Sequence, residues 1–264
     1  PYGADTLVLE STYGDRRHDN LSATEDKMVA ILGQTLHERG GNVIIPSFAV
    51  GRTQEILFVL CDLVRCGRLD PLKVVIDSPM ASAVTALTLR HRELWDDETR
   101  ALHAWSEANP GRFDVRFVQD LEESMALNEV RGGLVIISAS GMCDAGRIRH
   151  HLRHNLGRSE CAILIVGFQA AGTLGRRLVD GARQVTLFGE RVPVRAKIHT
   201  IGGLSAHADQ PALLDWMAHF KQAPKHTFVV HGEPLGAQAL ADAIHQRLGW
   251  TQPIVPEPGL GYEI

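Results

Sequence analysis

This chain is predicted to be an α/β protein built on a mainly parallel sheet, and three features of its sequence carry that prediction. Short β-branched runs alternate with longer stretches of helical periodicity, which is the signature of repeated βαβ units with helices on both faces of a sheet. At 264 residues there is enough chain for one large domain or two modest ones, each with a proper core. Beyond residue 184 the rhythm changes to a hairpin-like pattern, so a second layer is expected beside the α/β cassette.

The elements follow in order. Residues 6–9 read as a strand, and residues 21–39 as a helix that stops at Gly40-Gly41, a pair suited to closing a helix. A buried strand at 42–45, a helix at 51–66, a strand at 73–76 and a helix at 81–91 come next. Further strands are expected at 115–118, 134–138 and 162–166, with helices near 121–129 and 145–156 between them. Residues 184–188 and 192–201, joined through Gly189-Glu190, read as a hairpin of two antiparallel strands. After Gly202-Gly203 the pattern gives a helix, a strand at 226–230 and a helix at 235–248. The Pro- and Gly-rich tail at 253–264 is expected to close with an edge strand.

Composition narrows the function classes. Hydrophobic residues make up 44% and charged residues 22%, ordinary for a soluble globular protein. A net charge of −4 argues against a protein that coats nucleic acid without specificity, but it allows basic residues confined to one cleft. No apolar run is long enough to cross a bilayer, so a membrane role is not expected. The four cysteines form no C-x-x-C pair and are expected to be reduced, mostly buried thiols of a cytoplasmic protein. A start at Pro-Tyr-Gly that runs straight into a strand leads us to expect an N-terminal portion ahead of residue 1.

Three polar residues stand at the ends of strands or just before helices. Glu10 follows the first strand directly, and ligands of α/β sheets collect at the carboxyl ends of strands. Taken alone, Glu10 is better read as a helix cap or a surface acid. His207 lies in Gly202-Gly203-Leu204-Ser205-Ala206-His207-Ala208-Asp209, with Asp209 as a plausible N-cap and Pro211 in the first turn. A helix N-terminus favours an anion such as phosphate, Ser205 adds a hydroxyl donor, and a His there can protonate a leaving group. A packing role for His207 in a glycine-rich turn is equally compatible with the segment. His231, in Val230-His231-Gly232-Glu233, sits where a strand delivers an imidazole into a turn, a common place for a zinc ligand although a lone His is more often structural.

The segments Glu10-Ser11-Thr12-Tyr13-Gly14, Ser205-Ala206-His207-Ala208-Asp209 and Val230-His231-Gly232-Glu233 together resemble the β-CASP branch of the metallo-β-lactamase superfamily. Pro46-Ser47-Phe48-Ala49-Val50-Gly51-Arg52, Asp77-Ser78-Pro79-Met80-Ala81, Ser140-Gly141-Met142-Cys143-Asp144-Ala145-Gly146-Arg147 and Gly167-Phe168-Gln169-Ala170-Ala171-Gly172 extend the match along the chain. The resemblance implies a Rossmann-like parallel-sheet β-CASP domain at 15–195. Residues 1–14 and 196–264 would then be the C-terminal remnant of a metallo-β-lactamase αββα fold. It implies a zinc-dependent RNA phosphodiesterase, endo- and/or 5′-exonucleolytic, with two zinc ions as cofactors and single-stranded RNA as partner. By that likeness Glu10 and His207 are catalytic, and His231 is a metal ligand. Ser205, Arg52, His18 and Arg147 are expected to contact substrate, with Arg16 beside His18.

One departure from the family pattern is large. The His-x-His-x-Asp-His metal motif appears nowhere in these 264 residues. Zinc needs about four ligands, or three with a water, so this chain alone is expected to hold no zinc stably and to be inactive. The alternative is a non-catalytic RNA-binding scaffold subunit. Exposed sheet edges would favour a homodimer. A nicotinamide site is not expected, because Gly167-x4-Gly172-x2-Gly175 misses the dinucleotide spacing; the loop reads as a tight turn in preference to a backbone cradle for an RNA phosphate.

Overall fold

The computed structural model describes residues 3–264; Pro1 and Tyr2, with which the expected 1–14 segment begins, lie outside the described residues. Two compact units form, one from Asn20–Leu204 and one from the two chain ends, up to Asp19 and from Ser205. The expected divisions lay at residues 14 and 195.

The larger unit is a six-stranded, wholly parallel sheet. In sequence its strands are β2 (Val43–Pro46), β3 (Leu72–Ile76), β4 (Phe113–Phe117), β5 (Val135–Ser138), β6 (Ala162–Val166) and β9 (Lys197–Ile201). In space they run β4-β3-β5-β2-β6-β9. Side chains alternate across a strand, and here both faces are apolar. Val43, Ile45, Val135, Ile137, Leu164 and Val166 enter one core, where Met28 and Leu32 of α1 (Leu21–Gly33) meet Ile56, Leu60 and Leu63 of α2 (Arg52–Arg65). Ile44, Ile136, Ile163 and Ile165 enter the other, with Ile148 and Leu152 of α6 (Ile148–Asn155) and Leu174 and Leu178 of α7 (Leu174–Val179). A sheet covered on both sides is the state in which parallel strands are found, as the alternation of elements predicted.

Three local readings are corrected. Residues 97–108 form a helix, α4 (Asp97–Ala108), that the sequence pattern did not predict; it follows α3 (Pro79–Arg90) and buries only Leu102. The expected long hairpin is split. β7 (Gln184–Leu187) pairs antiparallel with β8 (Glu190–Pro193), turning at Phe188-Gly189, while β9 leaves to pair in parallel with β6. The tail makes one bridge, Phe228 to Ile254, in place of an edge strand. A short helix α5 (Leu121–Ala126) lies between β4 and β5.

In the smaller unit β1 (Thr6–Glu10) and β10 (His226–Val230) pair in parallel. Leu9 and Val229 pack on Leu213, Leu214 and Met217 of α8 (Gln210–Ala218) and on Leu240 and Ile244 of α9 (Pro234–Leu248). Val8, on the opposite face of β1, is 62% exposed. No helix among the described residues is long and apolar enough to cross a membrane. All four cysteines are free thiols, and all but Cys66 are buried.

Candidate active site

Two parallel strands of the smaller unit end in register, Glu10 beside Val230, so the chain leaves both at the same level. Just past them the buried Ser11 hydroxyl donates to the Val230 carbonyl at 2.8 Å. His231 takes a left-handed backbone with φ of 55°, uncommon for a residue with a Cβ. Gly232 follows, and a Cβ there would lie 2.5 Å from the Ser11 carbonyl oxygen, so this close approach needs glycine.

The segment after β1 is stitched to the turn that opens α8. Asp209 caps that helix as its sequence suggests: Oδ1 accepts from the Ala212 amide at 3.0 Å, and Oδ2 accepts from the His18 amide at 2.8 Å. Burial would raise the Asp209 carboxyl, but these two amides outweigh it and hold it below the usual range. Gln210 donates its amide to the Arg16 carbonyl at 3.1 Å and its side-chain nitrogen to the Gly14 carbonyl at 2.6 Å. His18 Nε2 lies 3.0 Å from the His207 carbonyl oxygen, and the Ser205 hydroxyl accepts the His207 amide at 3.2 Å.

This stitching brings Glu10, His207 and His231 together. Glu10 Oε1 is 3.1 Å from His207 Nδ1, and the imidazole rings of His207 and His231 stack with centroids 5.5 Å apart. Burial would raise the Glu10 carboxyl, but hydrogen bonds from Thr12 and the His207 ring prevail and hold it below the ordinary carboxylate range. Glu10 stands as the hydrogen-bond acceptor for Nδ1 of His207, an arrangement that directs Nε2 of the ring to other partners. Thr12, which sequence reasoning missed, joins the two rings: its hydroxyl donates to the His231 carbonyl at 3.1 Å and stands 3.3 Å from Nδ1 of each histidine. The only signal for Thr12 was its place two residues after Glu10 in Glu-Ser-Thr-Tyr-Gly.

A carboxylate oxygen and two imidazole nitrogens here all lie within 4.8 Å of one another. Donor types and spacing suit one zinc ion, whose ligands stand about 2 Å from the metal. They do not make two complete shells, and no other such cluster occurs among the described residues. Thr12 meets Nδ1 of His231 and of His207 at the same distance, which leaves Nε2 of each ring available to another partner.

Arg52 and Arg147 belong to the larger unit, where each has a carboxylate partner. Arg52 is 10% exposed and donates to Glu55 at 2.6 Å. Burial raises the Glu55 carboxyl, with Arg52 opposing. Arg147 donates to Asp77 at 2.7 Å and to the Gln119 carbonyl at 3.0 Å. Residues 167–173 form a loop that leads into α7, which begins at Leu174, and the Gln169 side-chain amide ties the loop to the Gly141 carbonyl at 3.0 Å.

Comparison with known proteins gives a consistent picture. Residues 53–178 match the model of the Beta-Casp domain. Residues 191–256 match the model described as the Zn-dependent metallo-hydrolase RNA specificity domain. Ribonuclease TTHA0252 of Thermus thermophilus is 41% identical over 87% of this chain and 52% of its own length. Transcription termination factor FttA is 32% identical in Pyrococcus abyssi and 31% in Thermococcus kodakarensis, in each case over 93% of this chain and 39% of the relative. The chain thus spans about half, or less, of the length of these relatives.

Proposed function

Because the chain belongs to the β-CASP family of metallo-β-lactamase-fold proteins, we propose that it is part of a ribonuclease that hydrolyses phosphodiester bonds in single-stranded RNA. The juxtaposition of Glu10, His207 and His231 carries this reading. Glu10 holds the Nδ1 proton of His207 and stabilises the imidazolium form, whose Nε2 proton passes to the departing oxygen and leaves the neutral ring with its proton on Nδ1. Ser205, whose oxygen already accepts the His207 amide, keeps its hydroxyl proton for a phosphate oxygen. His18 backs the same turn through the His207 carbonyl. Arg52 and Arg147 are proposed to contact the RNA backbone with the guanidinium edges that Glu55 and Asp77 leave. Zinc, when bound, would stabilise charge on the phosphate and lower the pKa of a water, with His231 Nε2 among its ligands. These 264 residues hold too few ligands for two ions, so we propose cleavage by a protein that supplies the others, and none by this chain alone.

The test is His207→Ala in a protein with the complete ligand set. RNA cleavage should fall by about 10²–10⁴-fold while RNA binding stays. Cleavage at the wild-type rate would refute the assignment. A chelator that leaves cleavage intact would remove zinc from the reading. A scaffold role would show as RNA binding without cleavage in that complete protein.

A further inference from the structure

The larger unit carries a second basic site that the cleavage chemistry does not use. Its hairpin turns at Phe188 and Gly189, with φ of 51° and 80°, which leaves the Phe188 ring 42% exposed. The Arg149 guanidinium stands 4.6 Å from the centroid of that ring, and the His150 ring stacks on it at 4.4 Å. Beside them opens a cavity of about 190 Å³, lined by Cys143, Asp144, Arg149, Gly172, Arg177 and Thr186 among others. Arg191 is directly opposite Thr186 across the hairpin, and opposed residues of an antiparallel pair share a face. Arg191 therefore shares the hairpin face of Thr186, which lines the cavity.

These arginines differ from their neighbours. Arg147, Arg153, Arg158 and Arg176 each end on a carboxylate. The side chains of Arg149, Arg177 and Arg191 have no ion pair or hydrogen bond among the described residues. Asp144 is the one carboxylate among the described residues that line the cavity, and its Oδ1 already accepts the Leu174 amide at 2.9 Å. Burial pushes the Cys143 thiol up to about 12, so it stays neutral and adds no negative charge. The local charge is positive in a chain whose net charge is −4. An unpaired guanidinium offers the forked donors that match a phosphate. Stacked rings beside arginines are the usual platform for an unpaired base.

We propose that this cavity is a second RNA-contact site, in which Arg149, Arg177 and Arg191 hold a backbone phosphate and the Phe188–His150 stack receives a neighbouring base of a single strand. The proposal rests on RNA as the substrate class, but not on Glu10, His207 or His231.

Binding of a fluorescein-labelled oligouridine to the 264-residue protein, followed by anisotropy across a salt series, tests it. Arg177→Gln with Arg191→Gln changes two exposed side chains, so the fold is not at risk. This pair should weaken binding by about 10-fold or more and flatten the salt dependence by roughly 0.7 log units for each phosphate that is no longer neutralised. Phe188→Ala should weaken it by roughly 5-fold or more, with the salt slope unchanged. Arg90→Ala, which removes one exposed charge from the end of α3, should bind as wild type. Binding of the double variant within twofold of wild type, or no binding of oligouridine by the wild type, would overturn the proposal. Weaker binding by the double variant together with wild-type cleavage by His207→Ala would sink the catalytic assignment and leave this site standing.

Discussion

At Gly232 a methyl group would press on the Ser11 carbonyl oxygen, at the point where β10 hands His231 to the site. Gly232→Ala should therefore cost the smaller unit about 1–3 kcal/mol through forced backbone movement. A urea midpoint unchanged from wild type would show that the segment relaxes freely. The same crowding explains what could be read residue by residue. Glu10, His207 and His231 drew notice because each is a polar side chain delivered by a strand end or a helix-capping turn, but each alone had a structural reading, and only the family resemblance joined them in one site. Thr12 was not, because one hydroxyl touching two rings is a fact of three dimensions that no spacing encodes.

The strands of the larger unit show how much an element's pattern can carry. In β2, Ile44 and Ile45 enter different cores, and both are fully buried. Ile45→Ala should destabilise the unit by about 2–5 kcal/mol. Ala101→Gly, on the exposed face of α4, should cost only about 1 kcal/mol. Thermal unfolding of the two variants should differ accordingly, and equal losses would contradict the burial pattern. The same contrast explains why β2 was foreseen and α4 was not. A buried strand announces itself by its apolar run, whereas α4 buries a single leucine and is held at its start by the Asp96 cap on the Thr99 amide. The hairpin was misread for another reason. Residues 192–201 look like one extended run, but Pro193 ends β8, and the partner of β9 lies about 35 positions earlier, on β6.

Across the whole larger unit, Asp77 is the tie point. It is fully buried at the end of β3, and it accepts from Ser124 of α5 at 2.6 Å and from Arg147, at the start of α6, at 2.7 Å. His151 Nε2 of α6 is 2.6 Å from the same carboxylate, and the Ser138 hydroxyl of β5 donates to the Asp77 carbonyl at 2.7 Å. Burial would raise this carboxyl, but the bonds from His151, Ser124 and Arg147 overcome it and hold it below its ordinary value of 3.8. A carboxyl depressed in the folded state stabilises the fold fully above its unfolded pKa of about 3.9 and loses that contribution as pH falls through the lower folded value. Stability should therefore drop with acid from about pH 5 downward. Asp77→Asn should cost about 3–5 kcal/mol near neutrality and flatten that acid slope. Parallel pH profiles for the two proteins would show that Asp77 is not the group responsible.

The division of the fold into parallel βαβ layers, the caps, and the three polar strand ends were set by the sequence itself. Hydrophobic period, turn chemistry and cap residues act over a few positions and can be read locally. Only the tertiary structure decided that Glu10 bonds His207, that Thr12 bridges two imidazoles, and that Asp77 gathers four elements. It alone separated arginines spent on carboxylates from those left open beside Phe188. Those outcomes depend on contacts between residues tens to hundreds of positions apart, and strand register and helix packing determine which side chains meet.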